Sequence, residues 1–309
     1  MKKSRCVIFG ASGFIGGYLV EELIKKSYPV LAISRNRQKL EDKLSHLKGE
    51  IEFATSDLME TEQSVNLIKQ GDIVFDLVSS SVPATSVKKP IQEITNNILP
   101  HANFFMQVCE KRAGKIIFAS SGGSIYGNMG GKSFLETDLP NPQSPHAIAK
   151  LTTEYFLKYF CQSKQIPFTI FRISNPFGVG QKKVDGFGVI PTFLENIKTN
   201  TPPVLFNQGK LVRDFIHVSD LVEAIVLSLE KPNQYPLYNL GSGQGLSIKE
   251  IWNILKTASN SNLSAIYDKR REFDIEKIVL DISRFSQEFS WQPKTDIKKA
   301  IGEMGKSIL

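Results

Sequence analysis

The chain has 309 residues, a formal charge of +7, and ordinary apolar (41%) and charged (22%) fractions. That size holds one large α/β unit plus a smaller one with ample core. No apolar run is long enough to span a bilayer, and no basic helix, finger or aromatic-basic interleaving points to nucleic acid, so neither a membrane nor a nucleic-acid partner is expected. Cys6, Cys109 and Cys161 are scattered and odd in number; they suggest small buried residues rather than a disulfide framework or a metal site. Met1–Ser4 leads straight into a strand with no signal peptide, which makes a cytoplasmic location the default expectation. The dispersed positive charge is mostly solvated surface, although it favours a small anionic substrate such as a nucleotide.

Arg5–Phe9 is a short apolar strand, Gly10–Gly16 a sharp glycine-rich turn, and Gly17–Lys26 carries apolar residues at helical spacing. Strand, glycine turn and helix in that order bind the pyrophosphate of a dinucleotide. Glycine supplies positive backbone angles and close main-chain approach, and the helix N-terminus stabilises the phosphate charge. The candidate cofactor contacts here are Gly10, Ser12, Gly13, Phe14, Ile15 and Gly16. Further strands are expected at 29–34, 51–55, 72–78, 115–119 and 168–172, with long helices at 94–111 and 146–162. This alternation predicts an α/β Rossmann fold: a doubly wound parallel sheet with helices on both faces.

From Ser174 to Lys210 glycine, proline and polar residues dominate, around one helix at 190–198. Residues 215–218, a helix at 219–230 and a strand at 238–240 are expected to return to the larger unit. A further helix starts at Ser247, capped by that serine and by Glu250 three residues later. The expected division is a dinucleotide-binding unit at 1–173 with 213–240 returning to it, and a smaller C-terminal substrate-binding lobe at 174–212 and 241–309.

The motifs now on the page resemble one family. Gly10, Gly13 and Gly16, the segments Ser120–Gly127, Ser144–Lys150, Arg172–Gly178 and Arg213–Asp220, and Asn239–Gly243 together resemble the extended short-chain dehydrogenases that act on nucleotide sugars, the UDP-glucose 4-epimerase group. The resemblance runs from about Arg5 to about Ile301. It implies an NAD(P)-dependent enzyme, a nucleotide-sugar substrate, and a homodimer formed through the two long helices. Ile98, Phe105 and Val108 on one helix, with Ile148, Tyr155, Phe156 and Tyr159 on the other, would make the contact; the same residues could instead face the sheet.

Two places depart from the family pattern. The family carries tyrosine at position 146, four residues before the lysine matching Lys150; this chain has His146. The i, i+4 spacing puts His146 and Lys150 on one helix face, and a cationic lysine keeps a neighbouring imidazole neutral and basic. His146 is thus either a working acid/base or the mark of lost or altered chemistry. In the family the matching lysine also holds the nicotinamide ribose, and a hydroxyl from the segment before Tyr126 steadies the reacting oxygen. Gly122 stands four residues before that tyrosine, which leaves Ser121, or otherwise Ser124, for that role; Gly122-Gly123 supplies no acidic pair for dehydration.

The second departure is at the end of the second strand. Ser34-Arg35-Asn36-Arg37 replaces the acidic residue that selects NAD, and serine plus arginine suits a 2′-phosphate, so NADP is favoured over NAD. Asp57 and Leu58 match the family's adenine contact. Asn175, Arg213 and Arg271 are expected around the nucleotide diphosphate, with Ser124 nearer the sugar; Arg213 could otherwise pair locally with Asp214. His101 and His217 read as structural. The leading expectation is a C4 epimerase of a UDP-hexose working through a 4-keto intermediate. The alternatives are an NADP-dependent reductase of a 4-keto nucleotide sugar, and a non-catalytic NADP-binding sensor or scaffold.

Overall fold

The computed structural model describes residues 3–128, 132–184, 186, 188–269 and 274–308. The strands are β1 (Cys6–Phe9), β2 (Val30–Ser34), β3 (Ile51–Thr55), β4 (Ile73–Asp76), β5 (Lys115–Ser121), β6 (Phe168–Ile173), β7 (Asn175–Phe177), β8 (Val204–Phe206), β9 (Val212–His217), β10 (Leu237–Leu240), β11 (Gly245–Ser247), β12 (Ile266–Asp268) and β13 (Lys277–Ile278). Seven of them form one sheet in the order β10-β6-β5-β4-β1-β2-β3, every pair parallel. A parallel sheet covered on both faces needs strands that are apolar throughout, and β1 and β2 are buried at every position. The strand order reverses between β1 and β4, which opens a crevice beyond their carboxyl ends.

The helices are α1 (Phe14–Lys25), α2 (Arg37–Leu44), α3 (Thr61–Asn66), α4 (Pro83–Lys88), α5 (Ile91–Glu93), α6 (Leu99–Glu110), α7 (Pro145–Lys164), α8 (Val189–Lys198), α9 (Val218–Leu227), α10 (Ile248–Ala258), α11 (Ser283–Phe289) and α12 (Ile297–Lys306). Leu19 and Leu23 of α1 and Leu221 and Ile225 of α9 fill the core on one sheet face. Phe104, Phe105 and Val108 of α6 and Leu157 of α7 fill the other. A third core joins Phe193 of α8, Trp252 and Leu255 of α10 and Ile301 of α12. Beside it, β9 pairs with β7, β11 and β13 in a smaller sheet. Of the stretch at 213–240, β10 joins the large sheet, α9 packs on α1, and β9 belongs to the smaller sheet.

The serine cap at Ser247 forms as expected: Glu250 N–H donates to Ser247 Oγ at 3.2 Å and Ser247 N–H to Glu250 Oε2 at 2.8 Å. All three cysteines are buried and unbridged. Among the described residues no helix is long and apolar enough to cross a membrane.

One expectation about the long helices needs correction, and one left open is settled in part. The helix expected at 94–111 begins with the short α5, and Ile94–Ile98 is a π turn before α6. The proposed contact face also splits. Phe105 and Val108 are fully buried under the sheet, whereas Ile148, Tyr155 and Tyr159 are 49%, 61% and 66% exposed. Sheet packing claims the aromatic stripe of α6 because the wide parallel sheet needs a cover on this face.

α7 is tied to the sheet by a buried ion pair. Arg172 of β6 donates to Glu154 of α7 through Nη2 at 2.7 Å and Nε at 3.1 Å, Ser120 Oγ donates to the same carboxylate at 2.5 Å, and the guanidinium lies 4.8 Å over the Tyr126 ring. Ser144 caps the start of α7, accepting from Ala147 N–H at 3.3 Å, and Pro145 occupies its first position. The helix is thereby fixed in rotation and depth, and with it His146 and Lys150.

Candidate functional site

The crevice opens into a cleft of about 1020 Å³ whose walls include the glycine turn, Ser121, Ser124, His146, Lys150, Asn175 and Arg213. That volume is at the upper end for small-molecule sites.

Three features of the glycine turn suit a dinucleotide. Gly10 has φ +87°, a conformation that side-chain-bearing residues rarely adopt. A Cβ on Gly16 would lie 2.2 Å from the Gly10 carbonyl oxygen, so this glycine lets α1 close onto the turn. Gly13 caps α1 without any side-chain hydrogen bond, and Phe14, Ile15 and Gly16 line the cleft, which leaves the first-turn N–H groups available to an anion. Gly16→Ala is expected to cost about 1–3 kcal/mol by overpacking and to weaken dinucleotide binding at least tenfold, read by thermal melting and calorimetric titration. Unchanged affinity would show that the turn does not hold the pyrophosphate.

The adenosine-side residues are arranged differently from the expected pocket. Ser12 Oγ and Ser34 Oγ share a hydrogen bond of 2.7 Å, and Ser34 Oγ also accepts from Asn36 N–H, so Ser34 sits buried behind Ser12. Arg35 is largely exposed, with Nη1 3.8 Å from Asp57 Oδ2, and Leu58 is packed in the core. Asn36, Lys39 and Lys43 of the α2 region line the cleft instead. Lys43 Nζ donates to the Gly13 carbonyl at 2.5 Å, directly beside the turn. Lys39 and Lys43 carry no separate sequence signal, since their i, i+4 spacing on a charged helix reads as solvated surface until α2 is placed against α1.

His146 and Lys150 lie on one face of α7 and both line the cleft. Lys150 Nζ donates to Ala119 O at 3.0 Å and to Val78 O at 3.3 Å, and lies 4.6 Å over the Phe118 ring. Burial pushes its pKa down, against the opposing charges of Asp76, Glu154 and Glu93. Burial, with the Lys150 charge adding to it, lowers His146 to about 3, so the imidazole is neutral at ordinary pH. Its Nδ1 is 3.0 Å from Ser81 Oγ. Ser121 Oγ and Ser124 Oγ are 2.9 Å apart at the end of β5. The site is therefore a neutral acceptor, a buried cation and a hydroxyl pair facing one cleft.

Also lining the cleft, Asn175 donates from Nδ2 to the Asp214 carbonyl at 2.8 Å, and Arg213 donates from Nη1 to Val212 O at 2.8 Å. The buried Asp214 carboxylate accepts from Ser242 N–H, Ser242 Oγ, Gly243 N–H and Leu280 N–H. Burial raises its pKa, and these four donors oppose the rise. Arg271 lies outside the described residues. His101 donates from Nδ1 to Asn97 O at 2.5 Å with Nε2 3.3 Å from Asp76, and His217 caps α9; neither lines the cleft. Ser81, Glu93 and Asn97 form a buried cluster behind His146 that sequence reasoning missed, because it forms only when the loop after β4 meets α5.

Comparison with known proteins agrees with this fold. The chain is 29% identical over 297 residues to a putative UDP-glucose 4-epimerase of Methanocaldococcus jannaschii, covering 96% of this chain and 95% of that one. It is equally similar, 29% over 314 residues, to a dTDP-4-dehydro-6-deoxyglucose reductase of Escherichia coli, covering 99% and 98%. The solved structure of a Thermus thermophilus UDP-glucose 4-epimerase in complex with NAD superposes with a TM-score of 0.88 at 25% identity, covering 98% of each chain. Residues 6–241 match the NAD dependent epimerase/dehydratase family, a span that takes in the glycine turn, α1, α2 and α7, and the whole seven-stranded sheet. The chain belongs to that family, enzymes of the extended short-chain dehydrogenase type.

Proposed function

We propose that this chain is an NAD(P)-dependent nucleotide-sugar epimerase acting at C4 of a UDP-hexose through a 4-keto intermediate. The observation that carries the reading is the placement of His146 and Lys150 on one face of α7, in the same cleft as the glycine turn and the Ser121–Ser124 hydroxyl pair. A bound nicotinamide supplies a hydride acceptor that can also return the hydride. Neutral His146 accepts the proton of the C4 hydroxyl and returns it when the hydride comes back. The Lys150 charge lowers the cost of negative charge developing on the sugar oxygen and holds the nicotinamide ribose; Ser121 hydrogen-bonds that oxygen, and Ser124 supports Ser121.

Asn175, Arg213 and Arg271 bind the nucleotide diphosphate in this reading, with the smaller C-terminal lobe supplying most of the substrate side. Gly10, Ser12, Gly13, Phe14, Ile15 and Gly16 hold the cofactor pyrophosphate. NADP is preferred over NAD, since Ser34-Arg35-Asn36 presents no carboxylate to the adenosine ribose and Lys39 and Lys43 add positive charge along α2.

The Escherichia coli relative favours a second reading, an NADP-dependent reductase of a 4-keto nucleotide sugar. One experiment separates the two: proton NMR of anomeric signals with UDP-glucose or UDP-N-acetylglucosamine, with NAD or NADP in turn. Epimer formation with no net cofactor consumption supports the epimerase. Inertness toward UDP-hexoses, with reduced cofactor oxidised in step with a 4-keto substrate, replaces it with the reductase.

The exposed row Ile148, Tyr155 and Tyr159 on α7, continued by Leu99 and Met106 on α6, suits a homodimer. Tyr155→Glu combined with Tyr159→Glu is expected to convert a dimer to a monomer in sedimentation velocity; a native protein that sediments as a monomer refutes the assembly.

A further inference from the structure

His146 is backed by a hydrogen-bond chain whose polarity can be read from one fixed point. The backbone N–H of Ser80 donates to Asn97 Oδ1 at 3.1 Å, which orients the Asn97 amide without ambiguity. Asn97 Nδ2 then donates to Glu93 Oε2 at 2.8 Å and to Ser81 Oγ at 3.3 Å. The Ser81 hydroxyl donates to the same Glu93 oxygen at 2.9 Å. Of the two acceptors within its reach, the Glu93 carboxylate oxygen at 2.9 Å is the stronger, so the single Ser81 proton goes there and lone pairs face His146 Nδ1 at 3.0 Å. Nδ1 then carries the imidazole proton. Nε2 is left with its lone pair, has no partner among the described residues, and is not among the sealed polar atoms.

The π turn is what makes this arrangement possible. It widens the helix at Ile94–Ile98, turning Glu93 and Asn97 inward, where they are 4% and 7% exposed. A buried carboxylate costs free energy unless its charge is used or paired; here Glu93 Oε2 accepts from both Asn97 and Ser81, its charge acts on Lys150, and the Ser81 hydroxyl links it to the imidazole.

We infer that Ser81 and Glu93 are positioning residues that hold His146 as its Nδ1–H tautomer, so that Nε2 faces the cleft as the proton acceptor and Glu93 stabilises the imidazolium formed when it accepts. The second half rests on the epimerase or reductase reading; the tautomer does not. Tyrosine has no second ring atom to be set in this way, so the chain behind position 146 belongs with histidine rather than with the family's usual residue.

The test is nitrogen-15 NMR of histidine-labelled protein, with the signals of His146 identified by their loss in His146→Gln. The native protein is expected to show a protonated Nδ1 and an unprotonated Nε2. Ser81→Ala and Glu93→Leu should each move the population toward Nε2–H. Glu93→Gln, whose amide oxygen still accepts from Ser81, should keep the native tautomer while lowering kcat about tenfold or more with KM little changed, as happens when the partner behind a working metal-ligating histidine is altered. An Nε2–H native protein, or a tautomer unmoved in both Ser81→Ala and Glu93→Leu, overturns the inference. Native kcat in Glu93→Gln overturns the role of the carboxylate. A protein with the Nδ1–H form that is inert toward every nucleotide sugar sinks the functional reading and leaves the tautomer assignment standing.

Discussion

Replacing His146 with alanine is expected to lower kcat by about 10²–10⁴-fold, the usual contribution of a positioned acid/base, while nucleotide binding changes little. The imidazole lines the cleft on the Lys150 face of α7, with Ser81 behind its Nδ1. A loss below threefold in the alanine variant would remove His146 from the chemistry. The pH profile carries an independent sign. Histidine ordinarily titrates near 6.5, and burial with the Lys150 charge lowers His146 to about 3. Its basic form therefore persists through mildly acid solution, and the acid limb of kcat/KM should fall well below the pH at which an exposed histidine would switch off.

The same shift links to stability. Between about pH 6.5 and 3 the unfolded chain binds a proton that the folded chain refuses. Stability from this group is therefore complete above pH 6.5 and is lost as the pH falls toward 3, at up to about 1.4 kcal/mol per pH unit. His146→Ala should flatten that slope in urea titrations run across the window. A slope identical to the native one would show that the imidazole is not buried as described.

The second large effect lies in the ion pair beneath α7. Arg172→Met should cost about 3–5 kcal/mol, because it leaves the Glu154 carboxylate buried with only Ser120 as a donor. Folded domains have stabilities of about 5–15 kcal/mol, so the variant would lose a large share of its margin. Adding Glu154→Leu to Arg172→Met should recover most of the loss, since the cost is the stranded charge rather than the missing bridge. Chemical denaturation of the single and double variants measures both. A single variant within 1 kcal/mol of native, or a double variant worse than the single, would contradict the account.

The parallel sheet was legible because its strands are short apolar runs separated by helices, and burial on both faces forces that composition. The glycine turn was legible for a steric reason, since few residues tolerate a Cβ 2.2 Å from a carbonyl. His146 and Lys150 were singled out by the family resemblance, and helix periodicity then put them on one face. The π turn was not legible: Ile94–Ile98 has no glycine or proline to mark a break in the helix. The α2 lysines and the Ser81 cluster escaped as well, being ordinary polar residues until distant segments close around them. Arg35 shows the reverse case, a residue singled out by the pattern that extends to solvent beside Asp57.

The strand order has a consequence for biosynthesis. β6 ends at Ile173, but its outer neighbour β10 begins only at Leu237. A chain emerging N-terminus first completes six strands of the sheet and then displays the β6 edge, Phe168–Ile173, unpaired until the tenth strand arrives. An apolar strand with open N–H and C=O groups is a template for another nascent chain. Release of the chain anywhere between 173 and 237 would leave that template permanently bare, so prematurely terminated fragments of this length should coaggregate while the finished chain stays dispersed.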